Sequence, residues 1–217
     1  MNYTSHVPWA RLLLSEILAG NGKTDYEHIQ LVVWGEDNLY LSVTDCSGFV
    51  NELIKKSYHL TNNDLEKWFG RYRPYASTYY KTIKLQRGFI KITNINKTNI
   101  GDFLVFYFPI HTRIDDDNTG HIMMVNRKPI QIIPTSPNVE KTKQWAVYVI
   151  DQTSTPHGTD DTRYISRNQK TTGLGSGYIR IYTNQKGEIV GYTWSLDVDS
   201  KFVSITKHPV IIGRIAG

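Results

Sequence analysis

The one cysteine of this 217-residue chain, Cys46 in the segment TDCSGF, has the surroundings of a reactive thiol. Asp45 is a residue type that commonly caps a helix, which places Cys46 in the first helical turn. The free N–H groups and the dipole of a helix N-terminus favour a thiolate, and they can stabilise the oxyanion of a tetrahedral intermediate. A lone cysteine excludes an internal disulfide and a zinc site built on several thiolates. Cys46 is therefore either a small buried apolar residue or a nucleophile, and its polar neighbours favour the nucleophile.

A cysteine nucleophile needs a base, and the base needs a group that orients it. Among the seven histidines, His121 opens the apolar strand HIMMV directly after a glycine and a polar loop. Asp151 closes another apolar strand, WAVYVI, where its carboxylate could accept the imidazole N–H. A structural histidine and an aspartate that starts a turn are the alternative interpretations. Cys46, His121 and Asp151 are thus candidates for a catalytic triad.

Four segments in this order, DCSGFV, IGDFLVFYF, GHIMMV and YVID, resemble the NlpC family of bacterial cell-wall cysteine peptidases. The match covers roughly residues 31–151. The resemblance implies a papain-like fold and a thiol protease that hydrolyses an amide bond in a peptidoglycan peptide. It also implies that Cys46 is the nucleophile, His121 the base and then the acid, and Asp151 the orienting group. The third residue is usually histidine in this family, so Asp151 is a variant, and the neighbouring Gln152 is an alternative.

The predicted substrate-binding residues come from two places. In the family, residues matching Asp45 and Ser47 help to hold a free peptide amine, and a Tyr-x-Trp-Gly-Gly element precedes the cysteine. Here that element reads VVWGE, which keeps Trp34 and lacks the tyrosine and the second glycine. The Gly/Ser/Thr-rich stretch from Thr153 to Gly177 is either a mobile surface loop or a cover for the cleft. In the second case His157 and Arg163, with Asp160 and Asp161, could contact substrate.

Hydrophobic periodicity indicates that the first third of the chain is helical and that the rest is rich in strands. We expect an amphipathic helix between Pro8 and Gly20, a helix over Cys46–Tyr58 and a third helix after Asn63, which Pro74 must end. The fold class expected is α+β: a papain-like (NlpC-type) core with N-terminal helices packed on a mostly antiparallel β-sheet, and a β-rich C-terminal extension. We predict a single catalytic domain, 1–217, with its core at about 31–151 and a C-terminal loop and β extension at 152–217.

Composition sets the remaining limits. Hydrophobic residues are 40% and charged residues 21%, which excludes wholesale disorder and fibrous structure. The net charge of +5 mildly favours an anionic partner, but no nucleic-acid-binding signature is found. No apolar stretch is long enough for a transmembrane helix. No cofactor or metal is predicted, and the triplet Asp115–Asp117 lacks the ligand spacing of a calcium loop. The resemblance implies the cell envelope or secretion, yet the N-terminal segment lacks signal-peptide features, so a cytoplasmic location stays open.

Two further functions remain compatible with the sequence. The same triad could serve a secreted effector-type acyltransferase or deamidase, because the tyrosine of the Tyr-x-Trp-Gly-Gly element and an export signal are both missing. Alternatively, the cleft could hold a ligand without catalysis. The oligomeric state is left open.

Overall fold

The computed structural model describes residues 5–109 and 118–216. The helices are α1 (His6–Leu18), α2 (Cys46–Tyr58), α3 (Asn62–Phe69) and α4 (Ala76–Lys84), and a short 3-10 helix spans Ile95–Lys97. The strands are β1 (Gly22–Tyr26), β2 (Gln30–Glu36), β3 (Leu39–Thr44), β4 (Phe89–Ile92), β5 (Phe103–Tyr107), β6 (Gly120–Val125), β7 (Ile130–Ile132), β8 (Lys143–Thr153), β9 (Tyr164–Ser166), β10 (Gln169–Lys170), β11 (Gly173–Thr183), β12 (Ile189–Thr193), β13 (Val203–Ser204) and β14 (Val210–Ile215). The triplet Asp115–Asp117 lies outside the described residues.

Local signals account for the ends of the helix that carries Cys46. The Asp45 side chain accepts a hydrogen bond from the Gly48 N–H and so caps the N-terminus of α2. The helix ends where His59 adopts a left-handed conformation, with Lys55 and Lys56 in its last turn. The predicted helix over Cys46–Tyr58 is confirmed.

Most of the strands form one nine-stranded antiparallel sheet. Its order is β13-β12-β11-β8-β6-β5-β14-β4, and β7 pairs with β8 beside this path. A separate three-stranded sheet has the order β1-β3-β2, with β1 parallel to β3, and β9 pairs with β10. The long strands β8 and β11 pair over their full length in the interior of the large sheet.

The expected fold class is wrong. The chain has a β-rich fold built on the nine-stranded antiparallel sheet with four short helices, and it is not an α+β papain-like core with N-terminal helices. Three strands, β1 to β3, lie between the first two helices, where we expected helical structure. Nor do the last strands form an extension, because β14 is inserted between β4 and β5 and β11 pairs with β8. Local sequence patterns do not indicate these strand pairings, because the paired segments are far apart in the chain.

Apolar side chains cover both faces of the large sheet. On one face, side chains such as Val105 and Ile122 pack with the helices, and α2 lies against β6 and β8. On the other face, alternating neighbours such as Phe106 and Met123 form a second cluster with β11 and β12. This two-sided burial fixes β6 and β8, the strands that carry the candidate base and its partner.

Among the described residues, no helix is long and apolar enough to cross a membrane, which agrees with the predicted lack of a transmembrane segment.

Candidate active site

Cys46 is the first residue of α2 and lines a cleft of about 210 Å³. Its side chain is largely buried, with 6% of the residue surface exposed. The Asp45 carboxylate oxygen Oδ1 accepts hydrogen bonds from the Gly48 N–H at 2.7 Å and from the Ser47 hydroxyl at 2.8 Å. The cap thus holds the first turn of α2 in place, with the thiol directed at the cleft.

His121 lies at the start of β6, opposite Phe106 on β5. The preceding residue, Gly120, has a φ of 134°, and a Cβ atom there would lie 2.0 Å from the carbonyl oxygen of Phe106. Only glycine fits this close approach of the two strands. His121 lines a second cleft of about 270 Å³, which shares Tyr26 and Gly120 with the cleft above Cys46.

The three predicted triad residues are brought together. The His121 ring hydrogen-bonds to Cys46 on one side, and its Nε2 lies 2.5 Å from Asp151 Oδ2 on the other. Since Nε2 faces the carboxylate, Nδ1 is the nitrogen available to the thiol. Gln152, the alternative third residue, points to the opposite face of β8, where its amide contacts Ser42 Oγ at 2.8 Å. Asp151 is therefore the residue placed to orient His121.

The electrostatics of this group favour a charged imidazole. Burial opposes the charge on His121, but the field of Cys46 and the hydrogen bonds to Asp151 and Cys46 outweigh it and raise the pKa of His121 to about 9. Burial would likewise raise the pKa of Asp151, yet the electrostatic interactions with His157 and Arg163 and the hydrogen bonds from His121 and His157 hold that pKa well below its ordinary value. The site thus holds an anionic Asp151 beside a cationic His121.

His157 and Arg163, which we predicted to contact substrate, lie behind Asp151 and not in the cleft. Both are buried, with 1% and 2% of their surfaces exposed. His157 Nε2 lies 2.9 Å from Asp151 Oδ2, and Arg163 Nη2 donates to Asp151 Oδ1 at 2.8 Å and to Asp161 Oδ2 at 2.7 Å. Because these side chains are enclosed by protein, they act on Asp151 and do not reach a bound substrate.

The segment that carries His157 and Arg163 is not one long loop. Strand β8 continues to Thr153, and β9, β10 and the start of β11 lie within 153–177. A Cβ atom at Gly175 would lie 2.5 Å from Arg163 Nε, and one at Gly177 would lie 2.6 Å from Asp161 Oδ2. The alternating glycines of GLGSG therefore make room for this buried cluster on one face of β11. They are the signal that could have predicted a close approach there.

Trp194, directly after β12, is a site residue that the sequence reasoning missed. Its ring meets the His121 ring edge-on, with the centroids 5.0 Å apart, and lies 4.4 Å from the centroid of His157. Its indole N–H donates to the carbonyl oxygen of Thr155 at 3.1 Å. The ring packs against both imidazoles and lines the second cleft.

The other predicted substrate-binding residues are distributed over two places. Asp45 and Ser47 line the cleft with Cys46, and the free side of the Asp45 carboxylate forms an ion pair with Arg73. Trp34 lies away from this cleft, where its indole N–H donates to the carbonyl oxygen of Trp9 at 3.0 Å within the core. The structure thus places Asp45 and Ser47 near the thiol and gives Trp34 a packing role.

Three groups of the kind that bind metals, His121, Asp151 and His157, lie within 4.8 Å of one another. Their contacts of 2.5 and 2.9 Å are hydrogen bonds, whereas zinc bonds of about 2.0–2.1 Å would place a metal between its ligand atoms and hold them farther apart. Asp151 also already has Arg163 as a cationic partner. The chemistry of this group is therefore that of a hydrogen-bonded network.

No family model matches the sequence. An uncharacterized protein of Acanthamoeba polyphaga mimivirus is 49% identical to it over 220 residues, which cover 97% of this chain and 96% of the viral protein. At that identity and coverage, the chain belongs to the same protein family as this mimivirus protein.

Proposed function

We propose that the protein is a cysteine hydrolase that cleaves an amide bond. The observation that supports this best is the position of His121 between the Cys46 thiol and the Asp151 carboxylate, at the junction of two clefts. A nucleophile at a helix N-terminus, a base that contacts it and an anion that orients the base are the elements that acyl transfer through a thiol requires.

In this mechanism the Cys46 thiolate attacks the substrate carbonyl carbon, and N–H groups at the start of α2 stabilise the oxyanion. The His121 imidazolium donates its proton to the leaving amine as the carbon–nitrogen bond breaks, which leaves a thioester on Cys46. His121 then takes a proton from water as the water attacks the thioester. The acid is released and the thiolate–imidazolium pair is restored.

The proposed substrate class is a peptidoglycan peptide, and its support is the motif resemblance to bacterial cell-wall peptidases. The net charge of +5 suits an anionic polymer of this kind. One feature argues against recognition of a free amine in the manner of that family: Asp45 is already paired with Arg73 and caps α2. We therefore infer a substrate whose bond to be cleaved is not next to a free amino group.

The test is incubation of the full chain with purified peptidoglycan and with cell-wall peptides whose amino group is either free or blocked. Parallel incubations contain a glutamine-bearing protein, as a deamidase substrate, or an acyl lipid, as an acyl donor. Mass spectrometry identifies the products. We expect hydrolysis by the wild type, loss of at least about 10³-fold in Cys46→Ala, and a decline above about pH 9 as His121 loses its proton. The His59→Gln variant, at the far end of α2, is the control. Peptide release that persists in Cys46→Ala would refute the assignment of the nucleophile.

The other functions are separate outcomes of the same experiment. Deamidated or acylated products without peptide release would identify the effector-type deamidase or acyltransferase. No product, together with slow alkylation of Cys46 by iodoacetamide below pH 8, would identify a binding module without catalysis.

A further inference from the structure

We propose that His157 and Arg163 are positioning residues of this site, and that His157 is held as an imidazolium cation. In this role they fix the Asp151 carboxylate as an anion directed at His121. The inference rests on the proposed hydrolase and assigns two residues to its machinery that never contact substrate.

The first support is the hydrogen bonding of the His157 ring. Its Nδ1 lies 3.0 Å from the carbonyl oxygen of Trp194, and its Nε2 lies 2.9 Å from Asp151 Oδ2. A carbonyl oxygen and an ionised carboxylate can only accept hydrogen bonds, so each nitrogen must carry a proton for both bonds to form. A neutral ring would place a lone pair against one of these oxygens.

Charge balance is the second support. In the proposed resting state the buried network holds three negative groups, Asp151, Asp161 and the Cys46 thiolate, and two positive ones, Arg163 and the His121 imidazolium. A buried charge is costly unless it is paired, and a neutral His157 would leave the network with one uncompensated negative charge. A cationic His157 balances the three negative charges with a third positive one.

Arg163 supplies the geometry. Its Nε and Nη2 donate to Asp161, its Nη2 also donates to Asp151 Oδ1 at 2.8 Å, and its Nη1 donates to the carbonyl oxygens of Asp151 at 3.1 Å and Gly173 at 2.9 Å. One carboxylate oxygen of Asp151 is thus held by Arg163, and the other is shared by His157 and His121. The carboxylate therefore has no freedom to rotate away from His121.

Loss of either cation should shift the protonation of the neighbouring groups in one direction. Removing a positive charge makes every nearby group bind protons more tightly, so Asp151 and the thiolate–imidazolium pair would take up protons at a higher pH. Among residues 5–109 and 118–216, the charged or titratable groups that contact His157 and Arg163 are Asp151, Asp161 and His121, with Cys46 reached through His121. The acid limb of Cys46 reactivity should therefore move to higher pH.

The experiment measures the rate of Cys46 alkylation by iodoacetamide from pH 4 to pH 10 on the full chain. We expect the His157→Gln and Arg163→Gln variants to react about tenfold more slowly than the wild type near pH 5 and within about twofold at pH 9, which corresponds to a shift of about one pH unit. Arg163→Lys, which keeps the charge, should lie closer to the wild type. His6→Gln is the matched control, because His6 is also a fully buried histidine but lies outside the site.

A purely structural role for these residues would lower the rate equally at every pH, and that result, or no change, would overturn the proposal. A wild type without enhanced alkylation below pH 8 would instead refute the proposed hydrolase, and the positioning role with it. A measurement on the wild type keeps the proposal testable if a variant does not fold. A long-range ¹H–¹⁵N spectrum at pH 7 should show that both ring nitrogens of His157 are protonated. One protonated and one unprotonated nitrogen, as in a neutral ring, would contradict the inference.

Discussion

The fully buried histidines His6 and His157 differ in what surrounds their rings. His6, at the start of α1, contacts the Tyr58 hydroxyl through Nδ1 at 2.7 Å and the Gly101 carbonyl oxygen through Nε2 at 2.7 Å. A hydroxyl can donate, so a neutral ring satisfies both contacts, and burial lowers the pKa of His6 to about 4. His157 faces two acceptors and requires two protons. Burial alone therefore does not decide the charge of a histidine, because its partners do.

The difference separates a structural region from a chemical one. The cluster around His6 is neutral and joins α1 to the core beside β5, where the ring stacks on Phe103. The cluster around His157 carries compensated charges next to the proposed nucleophile. Only the second can influence the protonation of His121, because only it borders Asp151.

The largest difference should appear between two buried arginines, Arg163 inside the charged cluster and Arg180 outside it. Arg163 holds two buried carboxylates, whereas the equally buried Arg180 bonds to backbone carbonyl oxygens such as that of Ser136. We expect Arg163→Met to lower the free energy of unfolding by about 3–5 kcal/mol, since it removes the cation that pairs with the buried Asp161 carboxylate. Arg180→Met should cost about 1–3 kcal/mol. Urea unfolding at pH 7 measures both, and equal losses would mean that the charge cluster carries no special cost.

The next effect is the acid sensitivity caused by His6. The unfolded chain binds a proton at the ordinary value near 6.5, whereas the folded chain binds it only near 4. Stability should therefore fall as the pH drops from about 6.5 to about 4, by about 3 kcal/mol from this group. Glutamine has no group that titrates over this range, so the stability of His6→Gln should depend less on pH. Urea unfolding at several pH values measures this. If the free energy of unfolding falls equally with pH in the wild type and in His6→Gln, His6 is not held neutral.

Local signals in the sequence account for the parts of the site that were predicted. Asp45 before Cys46 is a helix cap whose partners lie within three residues, so its effect could be read from the segment alone. His121 and Asp151 stood at the ends of apolar strands, where a polar side chain faces a cleft. The structure places both beside Cys46 as the order of the motifs predicted, and their catalytic roles stay predictions.

Long-range pairing explains what was not predicted. The fold class was wrong because strands such as β14 join the sheet next to segments more than a hundred residues earlier. Likewise, His157 and Arg163 seemed exposed in a polar stretch, and their burial depends on β11 folding back along β8 with glycine opposite Asp151. Asp37 and Asn38, which adopt left-handed conformations between β2 and β3, were the local signal for a hairpin in the region that we expected to be helical.

The smallest effect concerns Gln152, the neutral neighbour of Asp151 on the opposite face of β8. Its amide contacts Ser42 Oγ and donates to the Asp25 carbonyl oxygen at 2.6 Å, which ties β8 to the three-stranded sheet. We expect Gln152→Leu to lower the free energy of unfolding by about 2 kcal/mol, because buried polar groups lose their partners. The pH profile of Cys46 alkylation should not change, since no charge is removed. An altered profile would show that the two faces of β8 are coupled and that the charged cluster does not act alone on His121.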